Sequence, residues 1–143
     1  MTTRYDSDFY GWTLEQADLI RSGHIDMLDT ENLLEEIEAM GRSERREFES
    51  RLEVLIAHLL KWKYQPVRRS RSWTLTINVQ RKKVNRCLKE SPSLKHRLVE
   101  SFNDAYDDAI LLASKETGMI EDAFPEICPW TFEQIMDENF WPE

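Results

Sequence analysis

Apolar residues at Phe48, Leu52, Leu55, Leu59 and Trp62 are spaced four, three, four and three apart, which puts them on one side of an α-helix. This stripe predicts a central core helix that must stop before Pro66, because proline disfavours helical geometry at Gln65 and brings no backbone donor. In the next segment Trp73, Ile77, Val84 and Leu88 share a face, while Lys82, Lys83, Arg86 and Lys89 lie mostly elsewhere, with Ser70 or Ser72 as the N-cap. Ser91 followed by Pro92 predicts the start of a long helix through Leu98, Phe102, Ala105, Tyr106, Ala109, Leu112 and Ala113, closed by Gly118.

Towards the N-terminus, Thr13 with Gln16 fits a capping box for a short helix from Leu14 to Arg21, followed by Gly23 in a left-handed cap. Asp29 then caps a second helix carrying Leu33, Leu34, Ile37 and Met40, expected to end at Gly41 with Ser43 opening the next. After Pro125 and Pro129, Thr131 and Gln134 form a second capping box for a last short helix, and Phe140 and Trp141 are expected to fold back onto the body. The expected fold is all-α: a single helix bundle of about four longer helices with short N- and C-terminal helices, one domain over residues 1–143.

A length of 143 residues with 41% hydrophobic residues suits one folded core, and the longest mostly apolar stretch, Leu52 to Leu60, is far too short to cross a bilayer. The first ten residues carry Arg4, Asp6 and Asp8 and have no signal-peptide pattern, and Cys87 and Cys128 lack metal-site or disulfide-framework spacing. The expectation is a cytoplasmic protein with two reduced thiols, no membrane association and no cofactor.

Charge is segregated. Residues 1–57 hold 6 basic and 14 acidic side chains, residues 58–97 hold 12 basic side chains against Glu90 alone, and residues 98–143 hold one lysine against 12 acids. Such a pattern means either mutual neutralisation within the bundle, the favoured reading, or a basic face kept for an anionic partner. Under the first, Arg81 falls on the buried stripe between Ile77 and Val84 and requires a carboxylate, for which Glu36 is the first candidate and Glu35 the next, in a structural ion pair. Under the second, Arg68, Arg69, Ser70, Arg71 and Ser72 surround a helix start whose free N–H groups could hold a phosphate, with Trp73 and Tyr64 as stacking surfaces for a nucleic-acid base.

Catalytic patterns are missing. Glu35, Glu36, Glu38, His58, Asp104, Asp107 and Asp108 are the ligands on offer, but the Glu-x-x-His pair of di-iron bundles does not occur, so no metal site is assigned. No G-x-S-x-G elbow or glycine-rich phosphate loop occurs, and the glycines at 11, 23, 41 and 118 are isolated. His58 reads as a hydrogen-bonded boundary histidine, and His24 and His96 as solvent-exposed residues of connections.

Several stretches together carry a family resemblance: Tyr5 to Trp12 (YDSDFYGW), Leu28 to Glu38 (LDTENLLEEIE), Ala57 to Trp62 (AHLLKW), Arg69 to Trp73 (RSRSW), Ser91 to Leu94 (SPSL), Cys128 to Trp130 (CPW) and Phe140 to Pro142 (FWP). They resemble the family called domain of unknown function 29, found largely in bacteria and cyanobacteria. The resemblance implies a fold but no catalytic or binding residues. The leading functional expectation is therefore a non-enzymatic protein-interaction module binding a protein partner or forming a homodimer. Anion or nucleic-acid binding at residues 68–73 is the alternative, and a metal-dependent enzyme a distant third. The C-terminal aromatics Phe124, Trp130, Phe132, Phe140 and Trp141 are a candidate contact surface if exposed, with burial the favoured expectation.

Overall fold

The computed structural model describes residues 4–143 and is all-α, with no strand among the described residues. Six α-helices follow one another: α1 (Arg4–Ser7), α2 (Phe9–Arg21), α3 (Thr30–Tyr64), α4 (Arg71–Glu90), α5 (Leu98–Thr117) and α6 (Phe132–Met136). As expected, four are long and the terminal two are short. None is both long and apolar enough to cross a membrane. The chain divides into two compact units, Met1–Ser43 and Glu44–Glu143, and α3 contributes to both.

In the larger unit the predicted stripe is the core. Phe48, Leu52, Leu55 and Leu59 are fully buried with Ile56 and Leu60, and Ile77 and Val84 of α4 and Ala105, Ala109 and Ala113 of α5 complete the cluster. Three alanines on α5 let helices approach closely where larger side chains would hold them apart. Ser70 caps α4 by accepting from Trp73 N, Gly118 ends α5 at φ 77°, and the Thr131–Gln134 capping box is closed in both directions. The aromatic tail is largely inside: Phe124, Trp130 and Ile135 are buried, and Phe132, Phe140 and Trp141 pack against them. Trp141 lies 4.9 Å from Trp62 between ring centres.

Three predicted boundaries differ. The first long helix starts at Phe9 rather than Leu14, because Asp8 caps it by accepting from Gly11 N at 3.0 Å; Thr13 lies inside the helix and donates to Tyr10 O. Gly41 does not break α3, and Ser43 caps nothing, since the helix runs unbroken for 35 residues. A mid-helix glycine costs only about 1 kcal/mol, which the surrounding turns offset. Pro92 opens a 3-10 segment, Pro92–Arg97, with no side-chain cap from Ser91, and α5 begins only at Leu98.

Candidate interaction surface

The smaller unit is organised around Trp12. Its ring meets Tyr5 edge-on at 4.7 Å and stacks on Phe9 at 5.6 Å, and its Nε1 donates to Asp29 Oδ2 at 3.0 Å. Asp29 Oδ1 accepts from Asn32 N at the start of α3, as an N-cap should, while its own N–H donates to the buried Gln16 side chain at 2.8 Å. The Asn32 side-chain amide, which donates to Asp29 Oδ2 at 2.8 Å, and the Trp12 indole hold the Asp29 carboxyl below the usual carboxylate range. One turn further along, Glu36 accepts from the Tyr5 hydroxyl. That bond and the neighbouring carboxylates push the Tyr5 phenol up to about 12.

These contacts engage Asn32 and Glu36 on α3, whereas Leu34 and Ile37 point away from them and Met40 follows one turn beyond Glu36. Leu34, Ile37 and Met40 are 58%, 59% and 60% exposed, although their spacing marks them for a core. Phe9, Tyr10 and Leu14 on α2, and Ile25 and Met27 in the following turn, are also exposed, as is Ile20. Among the described residues, nine of the sixteen large exposed apolar side chains thus fall within residues 4–43, so they are concentrated rather than scattered. An open groove of about 600 Å³ runs along α2, lined by Leu14, Leu19 and Met27 together with Arg4, Glu15 and Asp18. Residues 1–43 carry ten acids against three arginines. Among the described residues Glu31, Glu35 and Glu38 form no ion pair.

Arg81 is buried as its stripe position requires, at 4% exposure, but among the described residues no carboxylate forms an ion pair with it. Its Nε donates to Ile135 O at 2.8 Å and its Nη2 to Phe140 O at 2.7 Å, while the guanidinium lies 5.2 Å from the Trp141 ring centre. The expected partners Glu36 and Glu35 are engaged otherwise or exposed: Glu36 binds Tyr5, and Glu35 faces solvent. Burial lowers the pKa of Arg81, and Asp137 and Glu138 oppose that shift through space. Two main-chain carbonyls therefore take the place of the predicted ion pair.

The helix-start loop is partly committed to the fold. Arg69 Nε donates to Trp62 O at 2.7 Å, its Nη2 to Pro142 O at 3.3 Å, and its guanidinium lies over the Trp62 ring. Ser70 spends its hydroxyl oxygen on the cap, whereas Arg68, Arg71 and Ser72 are exposed. Of the twelve basic residues at 58–97, Lys61 and Arg97 form ion pairs with described residues, to Glu116 and Glu100. Direct ion pairing within the fold thus leaves most of the basic segment unpaired.

Lys61 is the buried cation that sequence reasoning missed. It contacts Glu116 at 2.7 Å and lies 4.8 Å from the Trp73 ring centre. Its place between Leu60 and Trp62 was the available signal. Among the described residues no three His, Cys, Asp or Glu side chains converge on a common point. Burial raises the pKa of both Cys87 and Cys128, the opposite of what activates a nucleophile.

Residues 4–141 match the family model described as Domain of unknown function DUF29. The chain belongs to this family. The match covers both units and every helix, so the acidic apolar face and the arginine-held C-terminal segment both lie within the family region. No curated protein and no solved structure matches the chain.

Proposed function

We propose that this member of the family is a non-enzymatic interaction module that binds a protein through the outward face of residues 9–40. The carrying observation is that Leu34, Ile37 and Met40 are each more than half exposed on a well-formed helix that is tied down at Asp29 and Glu36. Burying one such side chain fully is worth roughly 1.5–3 kcal/mol, so three together with the α2 apolar residues suffice to seat a partner. The acidic rim supplies orientation and selects against acidic partners. The C-terminal aromatics do not compete for this role, because they are spent on the core of the larger unit.

The test is site-specific photo-crosslinking in living cells, with the reactive amino acid at Ile37 or, as a still more exposed control on another helix, at Val99. A discrete protein adduct from position 37 and none from position 99 is the expected result. Absence of any adduct from position 37 overturns the reading.

A further inference from the structure

The composition of the exposed face restricts what can cover it. Residues 1–43 have ten acids and three arginines, so two such faces brought together repel one another along their unpaired Glu31, Glu35 and Glu38. A fitting occupant is an exposed helix with an apolar patch and a cationic surround.

The same chain carries that helix. On the outward side of α4, Leu75 and Val79 are exposed at 49% and 42%, one turn apart. Arg71 precedes them on this side, and Lys82, Arg86 and Lys89 follow it at helical spacing. All four cations are exposed, and none forms an ion pair with a described residue. The buried side of α4, with Ile77, Arg81, Val84 and Leu88, is a separate stripe already used in the core. Two surfaces of opposite charge, each with exposed apolar side chains, are therefore present among the described residues.

We propose that the acidic apolar face of residues 9–40 docks on the outward face of α4 of a second copy of this chain, and that the contact is reciprocated to close a two-fold dimer. Each copy contributes one acidic and one basic surface, and a closed two-fold pair is the arrangement in which neither surface is left uncovered. The proposal rests on the interaction reading above and names the partner as the chain itself.

Light scattering after size-exclusion chromatography tests it on the full chain, at low and high salt. The wild type is expected to be a dimer whose dissociation constant rises roughly tenfold or more as salt screens the acidic and basic surfaces. Ile37→Asp disables the acidic face and Val79→Asp the α4 face; both positions are exposed, and circular dichroism verifies that each variant keeps its helices. Each variant alone is expected to be monomeric. An equimolar mixture is expected to regain a one-to-one heterodimer, because the intact face of one variant meets the intact α4 of the other. A dimer that persists in Val79→Asp, a mixture that stays monomeric, or an association indifferent to salt overturns the pairing. A monomeric wild type overturns it too, and if position 37 still crosslinks to a different protein in cells, the interaction reading survives while the self-pairing falls.

Discussion

Arg81 Nε and Ile135 O are joined by a 2.8 Å hydrogen bond between residues 54 apart in sequence, and Arg81 Nη2 makes a second such bond to Phe140 O. One buried side chain thereby holds both ends of the segment 135–140. Arg81→Met keeps the bulk of the side chain but leaves both carbonyls without this donor, at about 1–3 kcal/mol each if they remain buried. The expected result is a loss of about 2–4 kcal/mol in chemical denaturation, with faster proteolytic cleavage after residue 125. Unchanged stability and cleavage contradict the arginine clasp.

Arg69 separates structural from recognition roles in the basic loop. Its bonds to Trp62 O and Pro142 O make Arg69→Ala destabilising, by about 1–3 kcal/mol, whereas Arg68→Ala and Arg71→Ala should each stay within about 0.5 kcal/mol of wild type. Thermal unfolding of the three single variants shows the difference. Titration with short single-stranded RNA and DNA at two salt concentrations adds the functional half: no binding by wild type is expected. A salt-sensitive complex lost in the Arg68→Ala, Arg71→Ala double variant would return the loop to a binding role.

A side chain at Gly41 would meet nothing, since an added Cβ has no non-local neighbour within 4 Å. Gly41 also lies well inside α3, where glycine costs about 0.5–1 kcal/mol relative to alanine. Gly41→Ala should therefore slow hydrogen exchange of the amides around residue 41 by the corresponding few-fold. Faster exchange there would mean that the helix needs a flexible joint at this point.

His58 couples the larger unit to pH. A carbonyl can only accept, so the 2.9 Å bond to Val54 O places the ring proton on Nδ1. Burial, acting against that bond, holds the imidazole below its usual pKa of 6.5. The unfolded chain therefore takes up a proton near pH 6.5 that the folded chain refuses until a lower pH. Stability from this group is full above that point and declines as pH falls through it towards the lowered folded value. Urea unfolding between about pH 7.5 and 5 should show the decline in wild type and a flatter profile in His58→Gln. Identical slopes remove His58 as the cause.

The local signals that proved legible were those whose physics closes within a few residues. Ser70, Gly118 and the Thr131–Gln134 pair act on atoms less than one turn away, and the Phe48–Leu52–Leu55–Leu59 stripe needs only helical period. Thr13 misled because Asp8, five residues earlier, already provides a cap, leaving the hydroxyl to bond back to Tyr10 O. The exposure of Leu34, Ile37 and Met40 was not legible for another reason: periodicity identifies an apolar face without saying whether its cover lies in the same chain or a different molecule. The burial of Arg81 was readable from its stripe, but its acceptors were not. Every residue carries a carbonyl, so Ile135 O and Phe140 O leave no trace in side-chain identity.

Arg69 and Arg81 grip the main chain at three carbonyls, those of Ile135, Phe140 and Pro142, so the fastening measures spacing rather than spelling. The exposed Asn139 side chain can be rewritten freely as far as these bonds are concerned, and Asp137 and Glu138 matter to them only through their charge. A single residue inserted among them shifts Phe140 O and Pro142 O out of register with both arginines at once, and the tail comes undone although every original side chain is still present.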